Sequence, residues 1–224
     1  MNDNNYLTNN NVNIKGEILK EPTFSHELYG EAFYEFLLEV RRLSGQSDIL
    51  PITVSDRLMK GVNLSVGEKV ALHGQFRSYN KLENEHSKLM LTIFVRDFCE
   101  INDDSIGSNI AELNGFICKQ PVYRTTPFNR EICDLLIAVN RGYNKSDYIP
   151  CIAWGRNARF ASTLEVGNNV IIVGRIQSRQ YNKRLDDDTN EMRTAYELSV
   201  NKLMLNRDYD NETISAETAV ALDE

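Results

Sequence analysis

The sequence predicts an all-β protein made of two copies of one five-stranded unit. Three observations predict it. Apolar and β-branched residues recur in short runs bounded by Gly, Pro, Asn and Asp, the pattern of strands closed by turns. A set of Gly and Pro positions repeats at an offset of about 99 residues. The stretch 147–181 alternates its side chains as a half-exposed strand pair does.

The repeat holds across many turn residues. Gly16 matches Gly115, and Pro22 matches Pro121. Val40 and Arg42 match Val139 and Arg141; Asp48 and Pro51 match Asp147 and Pro150. After one inserted residue, Gly67 matches Gly167 and Gly74 matches Gly174. Two copies are too few for a solenoid, so the expected form is a tandem pair.

In the first repeat, strands are expected at 12–19, 33–41, 49–54, 69–79 and 88–98. Residues 100–109, with Asn-Asp-Asp-Ser and a Gly, read as a polar linker. The second repeat places strands at 110–118, 131–141, 147–154, 169–181 and 192–203. Between its third and fourth strands, 156–164 lacks Gly and Pro and has room for about two turns of helix. Residues 182–191 read as an exposed hairpin loop, and 208–224, acidic with few large apolar residues, as disordered. The expected domains are 1–101, a linker at 102–109, a second domain at 110–207 and a tail at 208–224.

Composition bounds the function. Hydrophobic residues make up 42% of the chain, enough for real cores. No stretch approaches the apolar length of a membrane span. The Asn-rich 1–13 has no apolar signal core, so a cytoplasmic location is expected. Cys99, Cys118, Cys133 and Cys151 show no Cys-x-x-Cys spacing and read as small buried hydrophobes in a reducing compartment. The net charge of −7 is unevenly spread. Residues 1–108 hold 11 Lys+Arg against 16 Asp+Glu, a net −5. Residues 109–207 hold 14 against 10, a net +4, and 208–224 hold 0 against 6, a net −6. Positive charge therefore gathers in the second repeat, where local potential favours an anionic partner.

That repeat also carries the alternating face. On one strand, Tyr148, Pro150, Ile152 and Trp154 point one way, and Ile149, Cys151 and Ala153 the other. On the next, Arg175, Gln177, Arg179 and Tyr181 share a face opposite Val170, Ile172 and Ile176. If the strands are neighbours, one surface carries rings and guanidiniums together. A core does not alternate arginine, whereas a single-stranded nucleic-acid platform does: bases stack on rings and phosphates pair with cations. Arg124, Arg141, Arg156, Arg175, Arg179 and Arg193 are the phosphate-contact candidates, each weighed against an ordinary solvated arginine. Trp154 is weighed against a buried core ring. The first repeat keeps Arg77 and Tyr79 but has Ser55 and Ile49 where the second has Trp154 and Tyr148. Its binding face is expected to be the weaker.

Catalytic and metal patterns are missing. There is no Gly-Lys-Ser/Thr phosphate loop, nucleophile elbow or paired-carboxylate motif. Asp186-Asp187-Asp188 lacks a calcium-loop pattern and reads as a solvated turn. His26, His73 and His86 fall at no ligand spacing. The expectation is a protein that is not an enzyme, with no cofactor and no metal.

An ordered set of residues resembles the bacterial single-stranded DNA-binding protein family. It runs Leu113-Asn114-Gly115, Pro121, Arg124-Thr125-Thr126-Pro127 and Ala138-Val139-Asn140-Arg141. It continues Asp147-Tyr148-Ile149-Pro150-Cys151, Ala153-Trp154-Gly155-Arg156, Val173-Gly174-Arg175-Ile176-Gln177-Ser178-Arg179, Tyr181 and Thr194-Ala195-Tyr196-Glu197-Leu198. The resemblance implies the OB-fold, a five-stranded Greek-key barrel with a helix between strands three and four. It places Tyr143, Tyr148, Trp154 and Tyr181 at base-stacking positions. It implies sequence-nonspecific single-stranded DNA binding in DNA replication, recombination or repair, in the cytoplasm at the nucleoid. Single-barrel members of the family form tetramers, so two barrels per chain imply a homodimer with four. Replication or repair proteins are possible partners, and no membrane is implied. The end Val220-Ala221-Leu222-Asp223-Glu224 has the acidity of the family's recruiting tail without its Pro-Phe tip. Two other readings compete: a primosome-type protein-interaction barrel, and an RNA-binding barrel.

Overall fold

The computed structural model describes residues 9–83, 86–101, 109–184 and 190–206. The tail, nearly all of the expected linker and the tip of the 182–191 loop, with its three consecutive aspartates, lie outside the described residues. Eleven strands and two short helices follow one another as β1 (Asn10–Leu28), β2 (Glu31–Arg41), β3 (Ser47–Ser55), α1 (Asp56–Met59), β4 (Lys69–Glu83) and β5 (His86–Cys99), then β6 (Asn109–Ile117), β7 (Val122–Thr125), β8 (Glu131–Arg141), β9 (Lys145–Trp154), α2 (Arg156–Ala161), β10 (Asn169–Arg184) and β11 (Asn190–Leu205). No described helix is long and apolar enough to cross a membrane.

The pairings close two barrels. In barrel one, β1 pairs with β2 and β4, β2 with β3, and β4 with β5, all antiparallel; β3 joins β5 in parallel. In barrel two, β6 pairs with β8 and β10, β8 with β9, and β10 with β11; β9 joins β11 in parallel. Each barrel is the expected OB-fold. The helix position between strands three and four is held by α1 and α2.

Alternation builds the cores. Along β2, Phe36, Leu38 and Val40 are buried, while Glu35, Leu37 and Glu39 face outward. The same parity buries Ile149, Cys151 and Ala153 of β9. The repeating glycines are close-approach sites. A Cβ on Gly16 would collide with the Glu39 carbonyl oxygen, and one on Gly115 with that of Ala138. Gly74 and Gly174 face the carbonyls of Phe94 and Ser199 in the same way, each beside a register shift in its hairpin. Gly67 and Gly167 adopt φ of 88° and 96°, a left-handed conformation that glycine tolerates.

The structure extends several elements. β1 runs on to Leu28, and β10 and β11 together lengthen the hairpin expected to begin at 182. β7 is a further short edge strand on β8, where its pairing runs from Val122 opposite Asp134 to Thr125 opposite Glu131. α2 is shorter than two turns would be expected to span, ending at Ala161. Of the four free cysteines, Cys133 and Cys151 are buried, Cys118 is half-buried and Cys99 is exposed. The first two sit on inward positions; Cys99 ends its strand, past the core.

The barrels join edge to edge. β1 and β6 pair antiparallel from Asn10 opposite Leu113 to Ile14 opposite Asn109. Two matched polar contacts flank this ladder. Asp48 accepts a hydrogen bond from the Ser178 amide at 2.8 Å, and Asp147 accepts one from the Ser78 amide at 2.8 Å. Ser178 Oγ in turn accepts from the Ile49 amide, and Ser78 Oγ from the Tyr148 amide. Each contact uses β3 or β9 of one barrel and β10 or β4 of the other, so the seam has a near two-fold symmetry. Arg42 binds Asp48 through two nitrogens, whereas Arg141 stands 3.5 Å from Asp147.

Candidate nucleic-acid interface

The outward face of barrel two collects the aromatic residues. Tyr148 and Trp154 of β9 and Tyr181 of β10 are all exposed, at 43%, 37% and 38%. Trp154 is therefore a surface ring rather than a core ring. β9 and β10 are not neighbours, however: β11 lies between them. The face still forms because β11 presents Arg193, Ala195, Glu197 and Ser199 opposite Tyr181, Arg179, Gln177 and Arg175. Residues directly opposite in an antiparallel pair share a face.

The inserted strand changes the electrostatics. Glu197 accepts a hydrogen bond from Gln177 Nε2 at 2.7 Å and stands 3.8 Å from Arg179. Arg179 also lies 5.8 Å from the Tyr181 ring centroid, a cation–π arrangement. Arg175 donates to Gln177 Oε1 at 3.2 Å, and its Nε is buried without a hydrogen-bond partner among the described residues.

The other candidates lie around this face. Tyr143 sits in the β8–β9 turn at φ 61° and is almost wholly exposed. Arg156 begins α2 and is exposed, one residue past the Gly155 turn that follows Trp154. Arg124 on β7 is held by Asp134 at 2.7 Å, and that bond raises its pKa. Arg193 bonds Glu191 at 2.7 Å. Arg141 stands at the seam beside Asp147. Burial pushes the Asp147 carboxyl above its ordinary range, against the opposing pull of the Ser78 amide and the Arg141 and Arg77 charges.

Barrel one presents a different face. Tyr79 is exposed, and burial with the nearby Glu35 charge raises its pKa. Arg77 lies over the Phe94 ring, 3.8 Å from its centroid. Phe94 packs against Phe33, with centroids 5.7 Å apart, and His26 stacks on Phe33 at 5.0 Å. Phe33, Phe94, Arg96 and Gln75 escape the sequence reading. The parity of Thr92, Phe94 and Arg96, opposite buried Leu91, Ile93 and Val95, is the signal that points to them. It is the same alternation that marks Arg175 and Arg179.

Among the described residues, no cluster of three or more His, Cys, Asp or Glu is placed to hold a metal. Two closed Greek-key barrels, with rings and guanidiniums on an outward sheet face, define a tandem OB-fold protein. The comparisons with known proteins narrow this. Residues 108–205 match the model of the Single-strand binding protein family. The Single-stranded DNA-binding protein 1 of Staphylococcus aureus is 35% identical over 80 residues, covering 33% of this chain and 48% of its own length. The Single-stranded DNA-binding protein of Mycoplasma pneumoniae is 35% identical over 63 residues, 28% of this chain and 38% of its own. The chain thus spans about half, or less, of these two relatives. The crystal structure of the wild-type single-stranded DNA binding protein from Thermus aquaticus superposes with a TM-score of 0.66 at 20% identity, over 88% of this chain and 92% of that one. That likeness extends over both barrels and concerns the fold. Barrel two is thus similar to the bacterial single-stranded DNA-binding proteins in sequence, over residues 108–205.

Proposed function

We propose that the chain binds single-stranded DNA without strong sequence preference, protecting and organising it during replication, recombination or repair. One observation carries this reading: Tyr148, Trp154 and Tyr181 stand exposed on a single sheet face that also bears Arg175 and Arg179. Exposed rings on a sheet cost hydration free energy unless something stacks on them. Every base offers a π-face, so such stacking tolerates any sequence. The arginines neutralise phosphates, and released counterions drive association. No bond is made or broken, so the mechanism is non-catalytic.

The remaining assignments belong to the same proposal. The chain divides into barrels at 1–101 and 110–207, a linker at 102–109 and an acidic tail at 208–224. Two chains pair to give four barrels. The protein works in the cytoplasm at the nucleoid, where replication or repair proteins are its partners. Support for the location comes from the sequence and the family alone.

Trp154 tests the reading directly, because it is the only tryptophan. Titration with oligo-dT is expected to quench its fluorescence, with saturation that follows binding. Unchanged fluorescence at saturating DNA would remove the stacking face. Binding is also expected to weaken with salt by about 0.7 in log–log slope for each phosphate neutralised.

A further inference from the structure

We propose that barrel one grips a backbone phosphodiester of the bound strand in a clamp of two arginines, Arg77 and Arg96, which Gln75 and Phe94 hold in place. The proposal rests on the single-strand-binding reading above. It adds a phosphate site in the barrel that has serine in place of the tryptophan.

The clamp is built by register. β4 and β5 set Gln75 opposite Phe94 and Arg77 opposite Thr92. Gln75 Oε1 accepts from Arg77 Nη2 at 2.7 Å, from Arg77 Nε at 3.1 Å and from Arg96 Nη2 at 3.1 Å. Phe94 lies beneath both guanidiniums, 3.8 Å from the Arg77 carbon and 5.8 Å from that of Arg96. Two cations thus share one neutral oxygen and one ring. Neither forms an ion pair among the described residues, whereas Arg42, Arg124, Arg159 and Arg193 each bond a carboxylate.

Gathering two like charges over a ring is unfavourable unless an anion joins them. Burial and the charges of Arg96 and Arg141, only partly offset by the Asp147 carboxylate across the seam, pull the Arg77 pKa down to about 10, so the group stays cationic at neutral pH with its charge incompletely compensated. Planar guanidiniums with forked donors match the two non-bridging oxygens of a phosphodiester.

Barrel two shows what an internally filled site looks like. There Gln177 stands where Arg77 does, and it bonds Glu197, whose place in barrel one is taken by Thr92. The Thr92 hydroxyl is engaged by Thr53 at 2.8 Å and offers no charge. Barrel two therefore supplies its own anion at this point on the sheet, and barrel one leaves the cations for a ligand. Arg141 of barrel two adds its charge from across the seam, which suits a strand passing from one barrel to the other.

The test uses the full chain and an oligo-dT of about 30 nucleotides, long enough for both barrels at roughly 4–16 nucleotides each. Dissociation constants are measured across a salt series, with Trp154 quenching followed in parallel. Arg96→Gln is expected to weaken binding about three- to tenfold at low salt and to make the log–log slope shallower by about 0.7, one phosphate's share. Arg96→Lys is expected to keep the slope while losing part of the affinity. Thr92→Glu, which copies the internal carboxylate of barrel two, is expected to behave as Arg96→Gln does. Melting temperatures confirm that each variant is folded, and Arg96, being exposed, is the safest. Wild-type affinity and slope in Arg96→Gln would overturn the clamp while leaving the stacking face intact. Weaker binding with an unchanged slope would also overturn it, since no phosphate contact has then been lost. A wild-type protein that neither binds nor quenches would instead remove the single-strand-binding reading itself.

Discussion

Barrel two carries Trp154 opposite Ile132, whereas barrel one carries Ser55 opposite Phe33. On the parallel pair, Ile152 faces Ser199 in barrel two, and Thr53 faces Phe94 in barrel one. The aromatic rings have thus moved to neighbouring strands while the frame has stayed. Inward positions and the four close-approach glycines match between the copies, because barrel closure depends on them. Outward positions are free of that packing constraint, and there the copies diverge. Barrel two exposes rings around a carboxylate-tempered set of arginines. Barrel one covers Phe33 with His26, lays Arg77 on Phe94 and adds Arg96 without a carboxylate. The difference teaches that one frame supports two outward faces, one of exposed rings and one of arginines laid over a ring.

The largest expected effect tests the shared frame. Phe76 and Ile176 are fully buried and occupy matching places on β4 and β10. Phe76→Ala is expected to cost about 3–5 kcal/mol and Ile176→Ala about 2–5 kcal/mol, from lost burial and the cavity left behind. Calorimetry should show a single unfolding transition in each case, because the β1–β6 ladder and both seam contacts couple the barrels. Two separate transitions would show that the barrels melt independently.

A smaller effect separates the two seam contacts. Asp48→Asn is expected to cost about 3 kcal/mol, since it leaves the Arg42 fork without its carboxylate. Asp147→Asn is expected to be close to neutral at pH 7. The folded pKa of Asp147 lies above its unfolded value, so ionising it opposes folding. Its contribution is most favourable below the unfolded pKa and is lost as pH rises through the folded pKa. Asparagine removes that penalty and still accepts from the Ser78 amide. Denaturant midpoints at pH 7 and at mildly acidic pH would show the contrast. An equal loss for both variants would contradict the asymmetry.

Binding changes come next. Trp154→Ala is expected to lose about 1–3 kcal/mol of oligo-dT affinity, the worth of one base–aromatic stack, with Trp154→Phe recovering part of it. The melting temperature of Trp154→Ala should fall less than that of Phe76→Ala, since the tryptophan is partly exposed and Phe76 is fully buried. A large thermal loss with intact affinity would return Trp154 to a structural role. The smallest effect concerns the segment 208–224, which carries six acids and no cation. Its removal is expected to leave oligo-dT affinity unchanged or slightly tighter at low salt. The gain should fade near 0.1 M ionic strength, where screening shortens to about 10 Å. Weaker binding after truncation would show that the segment supports the fold or the site.

The sequence by itself determined the tandem repeat, the strand order and the ring-bearing face of β9. These rest on local rules: turn residues mark strand ends, a period of two separates inside from outside, and a constant offset exposes a duplicated frame. Trp154, Tyr148 and Tyr181 were legible because parity alone places them outside the core. Tertiary structure decided the rest. That β11 separates β9 from β10, bringing Glu197 into the cationic face, follows from long-range pairing that no local window encodes. The joining of β1 to β6, and the reciprocal use of Asp48 and Asp147 against Ser178 and Ser78, place residues about 70 to 130 positions apart in contact. The clamp of Arg77 and Arg96 has the same origin. Its two arginines lie on different strands, and only the β4–β5 register sets both on one glutamine and one ring.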